Sequence, residues 1–531
     1  MMQPASRFLT IARQRWRASV PALPIDIFRA LVGMLSAVYF THLALETADF
    51  SSPGGLIDHG LVREIFWYTR YGLFRPGITA AQFQLIFALA ALASLMLAAG
   101  WRPKLMAAFM FAIAVSAYRW NFLVIYVDDG IMHLAIFWIL LLPVGRTLVL
   151  SELIRDRSAA LERWRRTMVS GGAVRAFLVS LSLVYVVAGM WKWTSPMWRS
   201  GTALFAALQT PIAWAPSMWS VGQLPFIAAA DYITLLLEPA FPLMFVLKRN
   251  HPAKWALLVM MIGFHLGIIA TMKVPYANIA CLAAIPVIFR DELMGLINRR
   301  RKYAPLAVPT FAGNFCAAGS ITFVTVLTLA MMGEAAVPHW RGPTRAEEST
   351  PVASAAKQTG FLGTNHNPMY LPLWAIGIAQ SYRLFDWIDD RNFRVRYDAA
   401  EVGADGSRRA IPAEDVFPMS IRGVLLQTYL HDVTWGKIPR ERADDLKVAL
   451  FTRFGHRYCK ARDPQGDVVV FAAVGRVPVA DPAPLPPPTP FLKFSCAGDH
   501  AWLAFARLDK DRIATFADPR MNASLLASVR H

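Results

Sequence analysis

The chain is poor in charged residues and in cysteine, and these two shortages exclude several classes of protein. Charged residues make up 17% of the 531 positions, against 55% hydrophobic residues. The mean hydropathy of +0.38 is typical of an integral membrane protein. Four cysteines are too few and too scattered for a disulfide scaffold or a zinc site. The two in the polar C-terminal part, Cys459 and Cys496, could form one bridge.

Several catalytic and ligand-binding motifs of soluble proteins are also missing. The C-terminal part carries no phosphate-binding glycine loop, nucleophile elbow or cluster of metal ligands. No pair of histidines in the apolar segments has a spacing that haem ligation requires, so we predict neither haem nor a metal site. The formal net charge of +18 would suit nucleic acid, but membrane proteins carry basic residues as topology signals. We therefore expect a lipid bilayer as partner and no nucleic acid.

Nine hydrophobic segments have roughly the length needed to cross a bilayer. They lie near residues 25–45, 79–99, 104–122, 131–148, 175–194, 229–247, 255–273, 276–291 and 311–333. We predict an α-helical polytopic membrane protein with about nine transmembrane helices over residues 25–335. A basic stretch, residues 1–24, leads into the first segment without a small-residue cleavage site, so we expect that segment to stay in the mature chain as the targeting signal.

The distribution of basic residues predicts the orientation. If the N-terminus is cytoplasmic, the inner loops hold 21 Lys and Arg residues and the outer loops hold 7. Positive charge is enriched on the cytoplasmic side of membrane proteins, so this bias favours a cytoplasmic N-terminus in the inner or plasma membrane. Nine crossings then place the chain after about residue 334 outside. Residues 149–174 are expected to form a basic amphipathic helix on the cytoplasmic face.

The composition changes after the last apolar segment. Residues 336–372 are rich in Pro, Ala, Thr and Gly, which indicates a linker. Residues 373–531 predict a small extracytoplasmic soluble domain with β content. Its expected elements are a hairpin around Asp405-Gly406, strands within 467–479 and 491–506, and a helix near 439–455.

Ionisable residues within the apolar segments are costly to place in lipid, and they normally face the interior of a bundle. Most of them here fall in the predicted outer half: His42, Asp128, Asp129, His133, Lys192, Arg199, Asp231 and Glu238. Lys192 lies between Trp191 and Trp193 and has two interpretations. It is an anchor whose stem reaches the headgroups, or an amine that faces a cavity inside the bundle. His133 is likewise either an interfacial hydrogen-bonding residue or an acid–base group.

One segment resembles the Ala-Gly segment of the vitamin K-dependent γ-glutamyl carboxylases. Residues 187–193, VAGMWKW, are followed after a short spacer by Trp198. In that family an Ala-Gly pair leads into two lysines and a spacer that ends in tryptophan. The second lysine, the family's proposed catalytic base, falls on Lys192, and the first falls on Trp191.

Two further segments agree with this resemblance. LLLEPAFPL at 235–243 is similar to the family's Leu-rich helix, whose acidic residue falls on Glu238. GFHLGIIATMKVPYANI at 263–279 resembles its Phe-His helix, with His265 on the histidine. Residues 25–335 therefore resemble the horizontally transferred transmembrane (HTTM) domain superfamily, to which these carboxylases belong.

The resemblance implies an activity and a set of site residues. Carboxylases of this family deprotonate a reduced naphthoquinone of menaquinone or vitamin K type, and its oxygenation gives a base that allows carboxylation of glutamyl side chains in a peptide or protein. It implies Lys192 as the base and Glu238 as an orienting carboxylate. His133 and His265 would be polar helpers. The walls of the quinone site would be aromatic: Trp191, Trp193 and Trp198.

This sequence departs from the family at one position. The family's assisting histidine aligns with Gly130, and His133 lies one helical turn further on. Two other functions stay open from the residues alone. One is a non-catalytic HTTM membrane protein in peptide maturation, export or immunity, and the other is a transporter or an electron carrier.

Overall fold

The computed structural model describes most of the apolar part of the chain and much of the C-terminal domain. The described residues are 16, 18–65, 67–124, 127–209, 211–298, 306–307, 311–341, 393–403, 405–418, 420–424, 426, 440–462, 467–476, 489–496 and 500–503. Most of the predicted linker, from residue 342 to 372, lies outside the described residues.

Helices dominate the fold, as the apolar composition predicts. The α-helices are α1 (Leu23–Leu45), α2 (His59–Ile65), α3 (Ala80–Ala99), α4 (Pro103–Trp120), α5 (Val127–Leu141), α6 (Leu150–Arg155), α7 (Arg157–Arg166), α8 (Gly172–Thr194), α9 (Pro196–Ser200), α10 (Ala203–Leu208), α11 (Leu224–Ala240), α12 (Leu243–Val246), α13 (Pro252–Thr271), α14 (Pro275–Ala283), α15 (Ile285–Ile288), α16 (Arg290–Ile297), α17 (Phe311–Arg341), α18 (Ala413–Val416) and α19 (Arg440–Arg462). The strands are β1 (Val20–Pro21), β2 (Thr167–Val169), β3 (Leu306–Ala307), β4 (Phe393–Val402), β5 (Arg408–Ile411), β6 (Asp467–Arg476), β7 (Thr489–Ser495) and β8 (His500–Leu503).

Four of the described helices, α1, α3, α8 and α13, are long and apolar enough to cross a membrane. The other five predicted segments are also helical, but they are shorter in their apolar part or broken. The segment 229–247 is divided between α11 and α12, because Pro239 and Pro242 remove backbone donors that a continuous helix needs. Membrane integration fits these helices.

The predicted amphipathic helix at 149–174 is not continuous. It is broken into α6 and α7 at Asp156, whose side chain caps α7 by accepting the Ala159 N–H at 3.0 Å. The chain then forms strand β2, which pairs with β1 and β3 in a three-stranded sheet. This sheet, which we call the loop sheet, lies at the end of the bundle where α1 begins.

The C-terminal domain has the predicted β content. Its five strands form an antiparallel sheet in the order β5-β4-β6-β7-β8. The hairpin of β4 and β5 turns at Asp405-Gly406, and Gly406 adopts a φ of 80°, which suits glycine. The helix predicted near 439–455 is α19, which extends to Arg462. The disulfide between Cys459 and Cys496 joins α19 to the residue after β7, a pairing that the sequence left open.

The C-terminal domain packs against the opposite end of the bundle from the loop sheet. A shared hydrophobic cluster joins loop residues Phe50, Ile57 and Leu123 to domain residues Phe451 and Phe494. Ion pairs add to it, since Arg453 pairs with Asp58 at 3.1 Å and Arg457 with Asp49 at 2.5 Å. The 23 residues of α1 separate the two ends by about 34 Å at 1.5 Å per residue, a membrane-spanning distance.

Candidate functional site

The centre of the candidate site is a buried ion pair between α8 and α11. Lys192 Nζ donates to Glu238 Oε1 at 2.8 Å and to Oε2 at 2.7 Å, and the lysine is 3% exposed. The amine therefore faces the bundle interior, and the anchor interpretation of Lys192 is wrong. A charge at this depth is tolerated because its partner is within hydrogen-bonding distance.

The pair can form because Gly189 lets the two helices approach closely. A Cβ at this position would lie 3.0 Å from Pro239 Cδ and 3.3 Å from Glu238 Cβ. Gly189 precedes Lys192 by three residues, so both lie on the same face of α8. The Ala-Gly segment thus has a physical role: its glycine makes room for the turn of α11 that carries the carboxylate.

A second polar group lies on the same face of α8, two turns before the lysine. The hydroxyl of Tyr185 is 2.6 Å from His265 Nε2, and His265 Nδ1 is 2.7 Å from Asn278 Oδ1. Because an amide oxygen only accepts, Nδ1 carries the ring proton and Nε2 accepts the hydrogen of Tyr185. The Tyr185 ring stacks on Phe241, three residues after Glu238, with 3.9 Å between the ring centroids.

The three predicted tryptophans occupy different environments. Lys192 Nζ lies 5.2 Å from the centre of the Trp198 ring, and Trp198 is buried. The break at Ser195-Pro196 ends α8 and starts α9, which turns Trp198 back over the amine. Trp193 is 47% exposed and donates its indole N–H to the Leu235 carbonyl at 2.9 Å. Trp191 is buried in the main hydrophobic core.

The structure places His133 on α5. The residue is buried, and its ring meets the Tyr118 ring edge-on at 5.3 Å. Helix α5 contacts α8, since the Trp138 indole N–H donates to the Ser180 hydroxyl at 3.3 Å. A role for His133 beside Lys192 stays a prediction.

The acidic pair at the start of α5 has partners that the sequence did not indicate. Asp128 accepts the Ala277 N–H at 2.7 Å, and Asp129 accepts the Tyr39 hydroxyl at 2.5 Å. Asp129 also binds Arg422 of the C-terminal domain through two bonds, of 2.6 and 3.0 Å. Burial by itself would lower the pKa of Arg422, but Asp129 raises it above its usual value. No local signal predicts this pair, because 293 residues separate its members.

No family model, curated protein or solved structure matches this chain. The carboxylase and HTTM resemblance therefore rests on the quoted residues and stays a prediction. What the structure adds is the grouping of Lys192 with Glu238 and Trp198, and of His265 with Tyr185, around one face of α8.

Proposed function

We propose that the chain is a membrane enzyme of the vitamin K-dependent γ-carboxylase type, in which Lys192 and Glu238 form the proton-transfer pair. The observation that carries the proposal is the buried contact of one amine with both oxygens of one carboxylate, beside an aromatic ring. Buried ionisable groups inside a helical bundle are expensive, and they commonly mark sites of proton or ion chemistry.

The pair supports base catalysis through an internal proton transfer. In the ion-pair form Lys192 is protonated and cannot act as a base. Transfer of one proton from Nζ to Glu238, across the 2.7 Å hydrogen bond, leaves a neutral amine and a neutral carboxylic acid. Low polarity makes this neutral form less unfavourable than it is in water. The amine lone pair can then accept a proton from an acidic hydroxyl, and the electron pair of the broken O–H bond stays on that oxygen.

The aromatic residue that best fits the wall of a reduced-naphthoquinone site is Trp198, because it is buried beside the amine. Trp191 is buried in the main core, about 100° around α8 from Lys192, and its place in such a wall stays a prediction. When bound, the naphthoquinol would supply the acidic hydroxyl and, after reaction with oxygen, the base that removes a glutamyl proton. Because Lys192 is 3% exposed and Trp198 lies beside its amine, a ligand reaches Nζ only if surrounding side chains such as Trp198 move. Trp193 is 47% exposed, so we assign it to the lipid boundary.

The predicted nine-span topology, with an extracytoplasmic C-terminal domain, has independent support. The three strands of the loop sheet come from segments that the charge bias assigns to the cytoplasm, and four predicted crossings separate each strand from the next. The loops that contact the C-terminal domain are those assigned to the outside. The disulfide in that domain favours an oxidising compartment. A peptide or protein substrate would approach from this side.

A non-catalytic membrane protein is the second candidate, and one observation favours it. Glu238 already satisfies the amine with two hydrogen bonds, so the pair could serve only to hold α8 against α11. In that case a lysine and a glutamate at this depth would specify helix register and take part in no reaction.

The test of the proposed function is a turnover assay on the full-length protein in lipid nanodiscs. The protein is supplied with reduced menaquinone or vitamin K, oxygen and labelled bicarbonate, and epoxide and fixed label are measured. Lys192→Ala and Glu238→Gln should lose epoxide formation. Lys254→Met is the matched control, because Lys254 forms an equally buried pair with Glu292, at 2.7 Å, on other helices. Epoxide that survives Lys192→Ala would remove the lysine from the mechanism, and no epoxide from the wild type would favour the non-catalytic candidate.

A further inference from the structure

A cavity of about 230 Å³ lies between the bundle and the C-terminal domain, away from Lys192. Its walls come from the outer end of α1, from the loop between α13 and α14, and from the segment around Arg422. Ligand pockets for drug-sized molecules usually hold about 300–1,000 Å³. This cavity is therefore suited to a small ligand, and it shares no lining residue with the proposed catalytic pair.

The cavity contains one carboxylate oxygen that lacks a donor. Glu46 follows α1 directly and lines the cavity. Ser420 forms a hydrogen bond with this carboxylate, but the Oε2 atom is buried and has no hydrogen-bond partner among the described residues. Buried polar atoms are nearly always paired, so an orphan acceptor facing a cavity indicates that a donor belongs there. The donor must carry N–H or O–H hydrogens.

The same cavity contains the ammonium group of Lys273. Lys273 Nζ lies 3.4 Å from the Pro211 carbonyl and 5.7 Å from the centre of the Trp214 ring. An ammonium has three hydrogens, and among the described residues this long contact is its one hydrogen bond, so the other hydrogens can bind a ligand. Arg422, by contrast, is committed to Asp129 and to the Val124 carbonyl at 2.7 Å.

Three of the residues that line the cavity carry a formal charge: Glu46, Lys273 and Arg422. Asp129 neutralises Arg422, which leaves one carboxylate and one ammonium on the walls. A ligand with a net charge would add an uncompensated charge to a partly buried site, which is costly. A zwitterion adds none. The aromatic wall formed by Trp214 and Tyr276 also favours an ammonium group over a second anion.

We propose that this cavity binds a small zwitterion of the phosphoethanolamine type, with its primary ammonium on Glu46 and its anionic group on Lys273. A quaternary ammonium could not donate a hydrogen bond to Glu46 Oε2, so the site should select a primary amine. The cavity lies at the level of the helix ends, where headgroups lie. The ligand can thus come from an ethanolamine phospholipid or from a soluble molecule with the same chemistry. This inference does not depend on the proposed function.

Binding is tested on the purified full-length protein with defined probes. Free phosphoethanolamine, phosphocholine and inorganic phosphate are titrated by isothermal calorimetry in detergent. Retention of phosphatidylethanolamine against phosphatidylcholine is measured by native mass spectrometry from mixed nanodiscs. We expect the ethanolamine ligand to bind about tenfold or more tightly than the choline ligand, the ratio that one charge-assisted hydrogen bond confers. Selective retention of the phospholipid alone would identify the lipid as the source, and selective binding of free phosphoethanolamine would add a soluble source.

Two variants separate the two halves of the site. Glu46→Gln should remove the preference for ethanolamine over choline, and Lys273→Gln should weaken both phosphate-bearing ligands by about tenfold. Matched controls on the exposed surface of the C-terminal domain, Glu414→Gln and Lys460→Gln, should change neither value. The ratio of the two affinities is insensitive to a general loss of stability. The proposal is overturned if the wild type binds neither form of the ligand, if choline binds as well as ethanolamine, or if Glu46→Gln keeps the preference.

Discussion

Replacing Lys192 with methionine tests whether the ion pair is as buried as the structure shows. Methionine keeps the length and apolar stem of the side chain but leaves the Glu238 carboxylate without its cation. Removal of one partner from a buried pair costs about 3–5 kcal/mol, because the other charge stays desolvated. Both side chains are at most 4% exposed, so little solvent screening reduces this value. We expect Lys192→Met to lower the free energy of unfolding by that amount.

The double variant Lys192→Met/Glu238→Leu provides the internal comparison. An apolar pair of similar volume removes both charges at once, so most of the lost stability should return. Equilibrium unfolding in mixed micelles with increasing SDS, run on the wild type, both single variants and the double variant, gives the coupling free energy. A coupling below about 1 kcal/mol would match a solvent-exposed pair and would refute the burial of this site.

Three further predictions concern packing and docking. Gly189→Ala should destabilise the protein by about 1–3 kcal/mol, because the new methyl group meets α11; Gly263→Ala, where nothing lies within 4 Å, should be neutral or stabilising in the same unfolding assay. Arg422→Gln should weaken the packing of the C-terminal domain on the bundle by about 3–5 kcal/mol, and hydrogen exchange in loop residues 49–58 should increase. Unchanged exchange would contradict the Asp129 contact. Burial lowers the pKa of His59 from 6.5 to about 4, so its protonation favours the unfolded state as the pH falls below 6.5. The free energy that protects the loop around His59 from hydrogen exchange should fall by about 2 kcal/mol between pH 7 and pH 5. His59→Gln should abolish this part of the pH dependence.

Much of the fold follows from local patterns in the sequence. Helices lie at all nine predicted apolar segments, because segment length and composition favour helix in an apolar environment. The hairpin at Asp405-Gly406 and the strands that follow also form as predicted, since turn chemistry and alternation act over a few residues. The division of 149–174 into α6, α7 and β2 was missed. This division depends on the pairing of β2 with strands about 140 residues away on each side, and local periodicity does not indicate such a pairing.

The residue types of the site were visible in the sequence, but their grouping was not. Lys192 and Glu238 stood out because charges in apolar segments are rare, yet 46 residues separate them. His265 lies 80 residues from Tyr185 along the chain, and only helix packing brings its ring to the α8 face. The neighbouring Trp193 bonds to the Leu235 carbonyl of α11, and the Ser195-Pro196 break returns Trp198 to Lys192.

The sequence by itself determined that this is a largely helical, membrane-compatible chain with a small β-containing domain. Hydropathy, helix period and turn residues are short-range properties, so they can be recognised in the sequence before the fold is known. Only the tertiary structure decided which charges meet, as Lys192 with Glu238 and Arg422 with Asp129. Such contacts depend on the mutual packing of distant helices, because close approach at a position such as Gly189 is a property of two elements together.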